Sequence, residues 1–170
     1  MNPTEYHKSK ALDAVCYEIE QLAWSTSIDV SPLTARHKNA ILESRLIHMR
    51  NLDEFFSYRP YKDYVRSSYY EFETGRVLEN TIRERLNEDL AHLSFARVTR
   101  SKMQWTSQLA INILTRCLSF AEHVLSNGLT GERIRWEQLA VDLRQIANLP
   151  ASFATVSAST SSVQITIKEG

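Results

Sequence analysis

Apolar residues recur every three or four positions through most of the chain, which is the spacing of amphipathic helices. They predict an all-α fold of five main helices. The fourth helix has the widest apolar face and is therefore expected to lie at the centre of the bundle. In the fifth helix, Ile134, Leu139, Leu143 and Ile146 are expected to point inward. The predicted helices span about 4–24, 33–56, 76–96, 106–127 and 131–148.

Capping residues support several of these boundaries. Thr4 is suited to begin the first helix, and Ser31-Pro32 precedes the second. Thr106 or Ser107 is suited to begin the fourth helix, and Asn127-Gly128 to end it. The fifth helix is expected to begin after Thr130 and to stop before Pro150.

The composition changes after residue 150. Residues 1–150 are predicted to form one helical-bundle domain, whereas 151–170 begin with a Ser/Thr-rich run that is typical of flexible chain. The final VQITIKEG alternates like a β-strand. This tail is expected to be disordered, docked on the bundle, or offered as a strand to a partner.

Composition places the chain among ordinary globular proteins. It is 43% hydrophobic and 24% charged, with a formal net charge of zero, so no overall field draws it to nucleic acid or to an anionic membrane. Cys16 and Cys117 lie on apolar helical stripes and are expected to be reduced, buried residues. The polar N-terminus and the absence of a long apolar run predict a soluble, cytoplasmic protein without a signal peptide or membrane span.

The second helix contains two polar residues where its core side should be apolar. On a helical wheel, Arg45 falls inside the apolar sector and His48 lies at its flank. A buried guanidinium is costly unless it is paired and hydrogen-bonded. Arg45 therefore predicts either a buried network that holds helices together or a cleft that opens at this point.

Two short patterns stand out, and together they resemble a known group of proteins. The first is H-x-R-N-L-x-x-F-F at residues 48–56, and the second is A-H-L-S-x-x-R at residues 91–97, followed by Trp105. The pair resembles a family of uncharacterised prokaryotic helical proteins over about residues 38–105. That resemblance implies a helical fold but no particular activity. The candidate binding residues in and near these patterns are Arg45, His48, Arg50, Asn51, Asp89 and Arg97.

Antiparallel packing of the second and third helices would bring the two patterns together. Arg45 and His48 would then approach Asp89 and His92, and Asp89 is the first carboxylate expected to pair with Arg45. Two imidazoles near one another could share protons close to neutral pH. The alternative is a structural Arg45–Asp89 pair with both histidines merely hydrogen-bonded.

A distant resemblance to HEPN proteins rests on the spacing of arginine and histidine. These helical bundles carry an Arg-x4-6-His motif, and members cleave RNA, bind nucleotides or act as toxins. Arg85 and His92 have this spacing, as do Arg116 and His123. The resemblance implies Arg85 as a phosphate clamp and His92 as the proton-transfer residue of a metal-independent ribonuclease. Neither arginine is followed by the polar residue usual in that motif.

Residues 57–74 combine tyrosines with cations. Tyr61 and Tyr64 are interleaved with basic residues, as in surfaces where bases stack on aromatic rings and cations contact phosphate. The alternative is a long loop whose tyrosines pack on the bundle.

The sequence predicts no cofactor and no metal site. Asp89-x-x-His92 puts two ligands on one face, but a di-iron bundle needs further carboxylates. The leading hypothesis is a non-enzymatic, cytoplasmic interaction or regulatory module with a protein partner or a homo-oligomeric state. The competing hypothesis is the HEPN-like RNA-binding protein or ribonuclease.

Overall fold

The computed structural model describes residues 3–58, 64–91 and 103–148, apart from the side chains of Asp89 and Ala91. It confirms the all-α class, with five α-helices in these residues. A short 3₁₀ helix, Ser67–Tyr70, lies between the second and third of them. The α-helices are α1 Glu5–Ser27, α2 Ala35–Phe56, α3 Asn80–Ala91, α4 Ser107–Ser126 and α5 Arg133–Ala147.

The predicted caps hold at Thr4, Thr106 and Gly128, whereas α2 is capped by Thr34 and α5 begins after Glu132. The Thr4 hydroxyl accepts the His7 amide N–H at 3.3 Å and begins α1, and Thr106 occupies the N-cap position of α4. Gly128 has φ of +62°, and the Leu129 N–H donates to the Val124 carbonyl at 3.1 Å. A left-handed glycine with this hydrogen bond is the usual end of a helix.

Helix α4 lies at the centre of the bundle, as predicted. It contacts α1, α2 and α5, and its inner face is completely buried over Ile113, Cys117 and Phe120. Phe120 meets a ring cluster in edge-on contacts, and Trp136 of α5 packs against it at 5.9 Å between ring centroids. The other rings against Phe120 are Phe55, Phe56, Tyr70 and Phe72.

Two further predicted features of the helices were wrong. Ile134 was expected to point inward but is 83% exposed, and Trp136 is the buried residue in the first turn of α5. Helix α3 was expected from about residue 76 but begins at Asn80. Over the described residues, no helix has the length and apolar character needed to cross a membrane.

Candidate binding site

Arg45 is buried at the meeting point of three helices. Its Nε donates to the carbonyl of Ser25 at 3.1 Å, and Nη2 donates to the same oxygen. Its Nη1 donates to the hydroxyl of Ser107 at 3.1 Å. Ser25 lies in the last turn of α1 and Ser107 begins α4. The side chain therefore joins the end of α1 to the start of α4.

The contacts of Arg45 among the described residues are with a helix end and a hydroxyl, and its expected pairing with Asp89 stays a prediction. The last carbonyls of a helix lack partners within the helix and carry partial negative charge, so a cation is favourable there. Burial nevertheless lowers the pKa of Arg45 from its ordinary value. Of the two alternatives predicted for Arg45, the structure shows the buried network that holds helices together. The side chain of Asp89 lies outside the described residues.

His48 and Asn51 face α1, where they share one carboxylate. The His48 Nδ1–H donates to Glu18 Oε2 at 2.8 Å, and the Asn51 Nδ2 donates to the same oxygen at 3.0 Å. Tyr17 stands edge-on against the His48 ring, with 6.1 Å between ring centroids. The His48 ring is thus turned towards α1, and its predicted approach to Asp89 and His92 falls on side chains outside the described residues.

Helices α2 and α3 meet through a buried ion pair that the sequence did not reveal. Arg83 Nε lies 2.7 Å from Asp53 Oδ2, and both side chains are at least nine-tenths buried. Asp53 Oδ1 accepts the backbone N–H groups of Val77 and Leu78 at 3.0 and 2.9 Å. The sequence offered little sign that Asp53 is buried. Its place near the edge of the apolar sector was the only indication of burial.

Arg50 of the first sequence pattern meets Asn87 of α3. Both residues line a cavity of about 10 Å³ between α2 and α3, beside Asp53 and Arg83. Among the described residues, Nε of Arg50 and Oδ1 of Asn87 are buried without a protein hydrogen-bond partner. A donor and an acceptor line a space of the size of one water molecule. The cavity is too small for a substrate, so this junction serves packing.

The second arginine–histidine pair holds a neighbouring segment. Arg116 Nη1 lies 2.5 Å from Glu73 Oε1, and its guanidinium stands 5.0 Å from the Phe72 ring centroid. The His123 Nε2–H donates to the carbonyl of Tyr70 at 2.7 Å. Seven positions apart, Arg116 and His123 share one face of α4, and together they fix residues 70–73 on the bundle.

A groove of about 530 Å³ opens beside His123. Its polar lining includes Lys8 and Glu71, and Lys8 is already paired with Glu5 at 2.8 Å. The imidazole Nδ1 accepts the Nδ2–H of Asn127 at 3.2 Å. Both ring nitrogens of His123 therefore have partners within the protein.

The remaining predicted site residues lie apart or outside the described chain. Arg85 is half-buried on α3 and has an interaction of its own. Tyr64 is exposed. His92, Arg97 and Tyr61 lie outside the described residues.

The described residues form no metal site, and no similar protein indicates a further site. In the part of the chain that the structure describes, no three His, Cys, Asp or Glu side chains form a group able to hold a metal ion. Comparison with protein-family models, curated proteins and solved structures gave no match.

Proposed function

We propose that the chain is a cytoplasmic protein-interaction module and that it binds through the outward side of α1. The observation that carries this proposal is a line of exposed aromatic residues, which we call the α1 aromatic face. Tyr6, Tyr17 and Trp24 are 69%, 50% and 51% exposed. Spacings of eleven and seven residues place them within about 20° of one another around the helix and over ~27 Å of its length.

Tyrosine and tryptophan are the residues that protein interfaces favour. They carry large apolar areas with few rotatable bonds, and truncating them at interfaces often costs the most binding energy. Scattered apolar residues on a surface are normal, whereas an aligned group points to a partner. The alignment on one helix therefore favours binding over chance exposure.

The charges around the α1 aromatic face favour a protein over a nucleic acid. Lys10, Asp13 and Glu20 lie beside the three rings on the outward side of the helix, and Arg135 pairs with Glu20, so acids and bases balance there. Nucleic-acid binding relies on cations that neutralise phosphate. This face lacks that excess of cations.

Residues from the predicted binding region support the same face. Tyr17 packs on His48, and His48 and Asn51 hold the adjacent Glu18. The second helix thereby orients one of the three exposed rings. We assign His48 and Asn51 a supporting role beside the binding face.

The test compares paired substitutions in the native host. A tagged chain carrying Tyr6→Ser and Trp24→Ser is expected to lose cross-linked partners that the unchanged chain retains. Tyr58→Ser is the matched control, because Tyr58 is 75% exposed but lies outside α1. Loss of the partner with Tyr58→Ser alone would instead assign binding to residues 57–74 and overturn the α1 proposal.

The ribonuclease hypothesis stays a prediction about Arg85 and His92. If it holds, the unchanged chain degrades total RNA without added metal, and Arg85→Ala and His92→Ala each abolish the cleavage. Arg116→Ala serves as a comparison, since Arg116 is occupied by Glu73. Equal absence of cleavage by all four proteins contradicts this hypothesis.

A further inference from the structure

We infer that the partner of the α1 aromatic face is a second copy of the same chain, bound with the two α1 helices antiparallel and centred on residue 15. This inference rests on the proposed function and names its partner. It comes from the order of residues along the exposed side of α1. That side carries Tyr6, Lys10, Asp13, Tyr17, Glu20 and Trp24.

These residues form three pairs that are symmetric about one point. In an antiparallel helix pair with a two-fold axis, each residue lies opposite a residue equally far beyond the centre. With the centre at residue 15, the opposing residue numbers sum to 30. The resulting pairs are Tyr6 with Trp24, Lys10 with Glu20, and Asp13 with Tyr17.

Each pair is chemically complementary. Two aromatic rings meet at the ends of the contact, where edge-on packing is favourable. The Lys10 ammonium meets the Glu20 carboxylate, and the Asp13 carboxylate can accept the hydroxyl of Tyr17. Because the two-fold axis repeats every contact, the dimer would contain six such contacts.

The charged groups are available for these contacts. Lys10 lies 3.6 Å from Asp13 in a loose, exposed pair on its own helix. Glu20 is held by Arg135, with Nε to Oε1 and Nη2 to Oε2 both at 2.7 Å. This two-pronged bond fixes the Glu20 carboxylate in place and leaves lone pairs on both oxygens.

The surroundings of Glu20 also suit an incoming lysine. A groove of about 750 Å³ lies beside it, lined by further acids, by apolar side chains from α5, and by Arg133 and Arg135, which are already paired with Glu137 and Glu20. Glu132 and Asp142 contribute carboxylates there, and Ile134 contributes an exposed apolar surface. The Lys10 stem of a second copy could cover Ile134 while its ammonium meets carboxylate oxygens.

The opposite orientation is disfavoured by the same residues. In a parallel pair related by a two-fold axis, Lys10 would face Lys10, Asp13 would face Asp13, and Glu20 would face Glu20. Like charges across an interface are unfavourable. The charge order therefore selects the antiparallel arrangement.

The orientation is tested by disulfide cross-linking of the full chain. Tyr6→Cys and Trp24→Cys are made separately, and the two proteins are mixed under mild oxidation. We expect a covalent dimer from the mixture and none from either variant alone, since identical positions would lie ~27 Å apart along the helices. The native Cys16 and Cys117 are completely buried, so they offer no competing thiol.

The affinity is tested by sedimentation velocity over a range of concentrations. Lys10→Glu places a carboxylate opposite Glu20 at both ends of the interface and is expected to weaken dimerisation about tenfold or more. Lys38→Glu makes the same charge change on α2 and is expected to leave the dimer unaffected. Circular dichroism of each variant tests whether the helices are retained.

The outcomes separate this inference from the proposed function. A protein that stays monomeric, yet loses another cellular partner with Tyr6→Ser and Trp24→Ser, overturns the dimer and retains the interaction face. Covalent dimers of Tyr6→Cys with itself overturn the antiparallel arrangement. A dimer that Lys10→Glu leaves unchanged overturns the assigned face.

Discussion

Replacing Asp53 by alanine should be among the most damaging single changes in the described chain. The substitution removes the carboxylate that pairs with Arg83 and accepts the N–H groups of Val77 and Leu78. Removing one member of a buried ion pair leaves the other charge without compensation and typically costs about 3–5 kcal/mol. Small domains are stable by only about 5–15 kcal/mol, so Asp53→Ala should lower the unfolding free energy by a large fraction.

A matched pair elsewhere in the chain isolates the effect of burial. Arg133 Nε and Glu137 Oε1 are also 2.7 Å apart, but the two side chains are 68% and 49% exposed. Glu137→Ala should therefore cost no more than about 0.5 kcal/mol. Urea unfolding followed by circular dichroism measures both variants. Equal losses of unfolding free energy would refute the assignment of Asp53–Arg83 as a buried, energetically important pair.

Three further predictions concern other helix contacts. Arg45→Met should lower the unfolding free energy by about 2–4 kcal/mol, because the α1 end loses charged hydrogen bonds; a loss below about 1 kcal/mol in urea unfolding would contradict this. Arg135 holds the pKa of Glu20 below its usual 4.5, so the pair stabilises the fold above about pH 4.5, and this contribution is lost as the pH falls through the lowered pKa. Glu20→Gln should flatten that part of the stability–pH curve, and an unchanged curve would count against it. Glu71 has φ of +58°, so Glu71→Gly should raise the free energy of unfolding by up to about 1 kcal/mol and the melting temperature slightly. A lower melting temperature would show that the contacts of the Glu71 side chain outweigh the backbone strain.

Helices were predictable because their apolar periodicity and their caps are local properties. Thr4 and Gly128 act within one turn of their own helix, so neighbouring residues reveal them. The predicted start of α3 was wrong because the residue that determines where the helix begins is distant in the sequence. Asp53 captures the N–H groups of Val77 and Leu78, and the helix begins only after them.

The sequence predicted which residue of α2 makes buried polar contacts, but it did not predict the partners of that residue. Arg45 was identified as a cation within an apolar sector, which is visible in the residue order. Its main acceptor is the carbonyl of Ser25, and every residue carries such a carbonyl. The pattern of side chains therefore favoured a carboxylate as the partner of Arg45, whereas the packing of three helices brings the C-terminal end of α1 to it.

The spacing of Arg116 and His123 explains the limits of motif evidence. Seven residues on any helix return to nearly the same face, whether that face is an active site or a packing surface. In α4 the face is covered by Glu73 and Tyr70. The same spacing at Arg85 and His92 therefore predicts a shared face, and RNA cleavage must be tested independently.

The internal contacts of α1 matter for the binding face that it presents. Arg45 holds its end at Ser25, His48 holds its middle at Glu18, and Arg135 holds Glu20. A helix fixed at several points loses little freedom when it binds, so more of the contact energy remains as affinity. It follows that Arg45→Met should weaken partner binding although Arg45 is buried away from the surface. Because this effect acts through the position of α1, the loss of affinity should shrink when a second, stabilising substitution restores the free energy of unfolding. The loss of affinity caused by Trp24→Ser should persist in the same stabilised background.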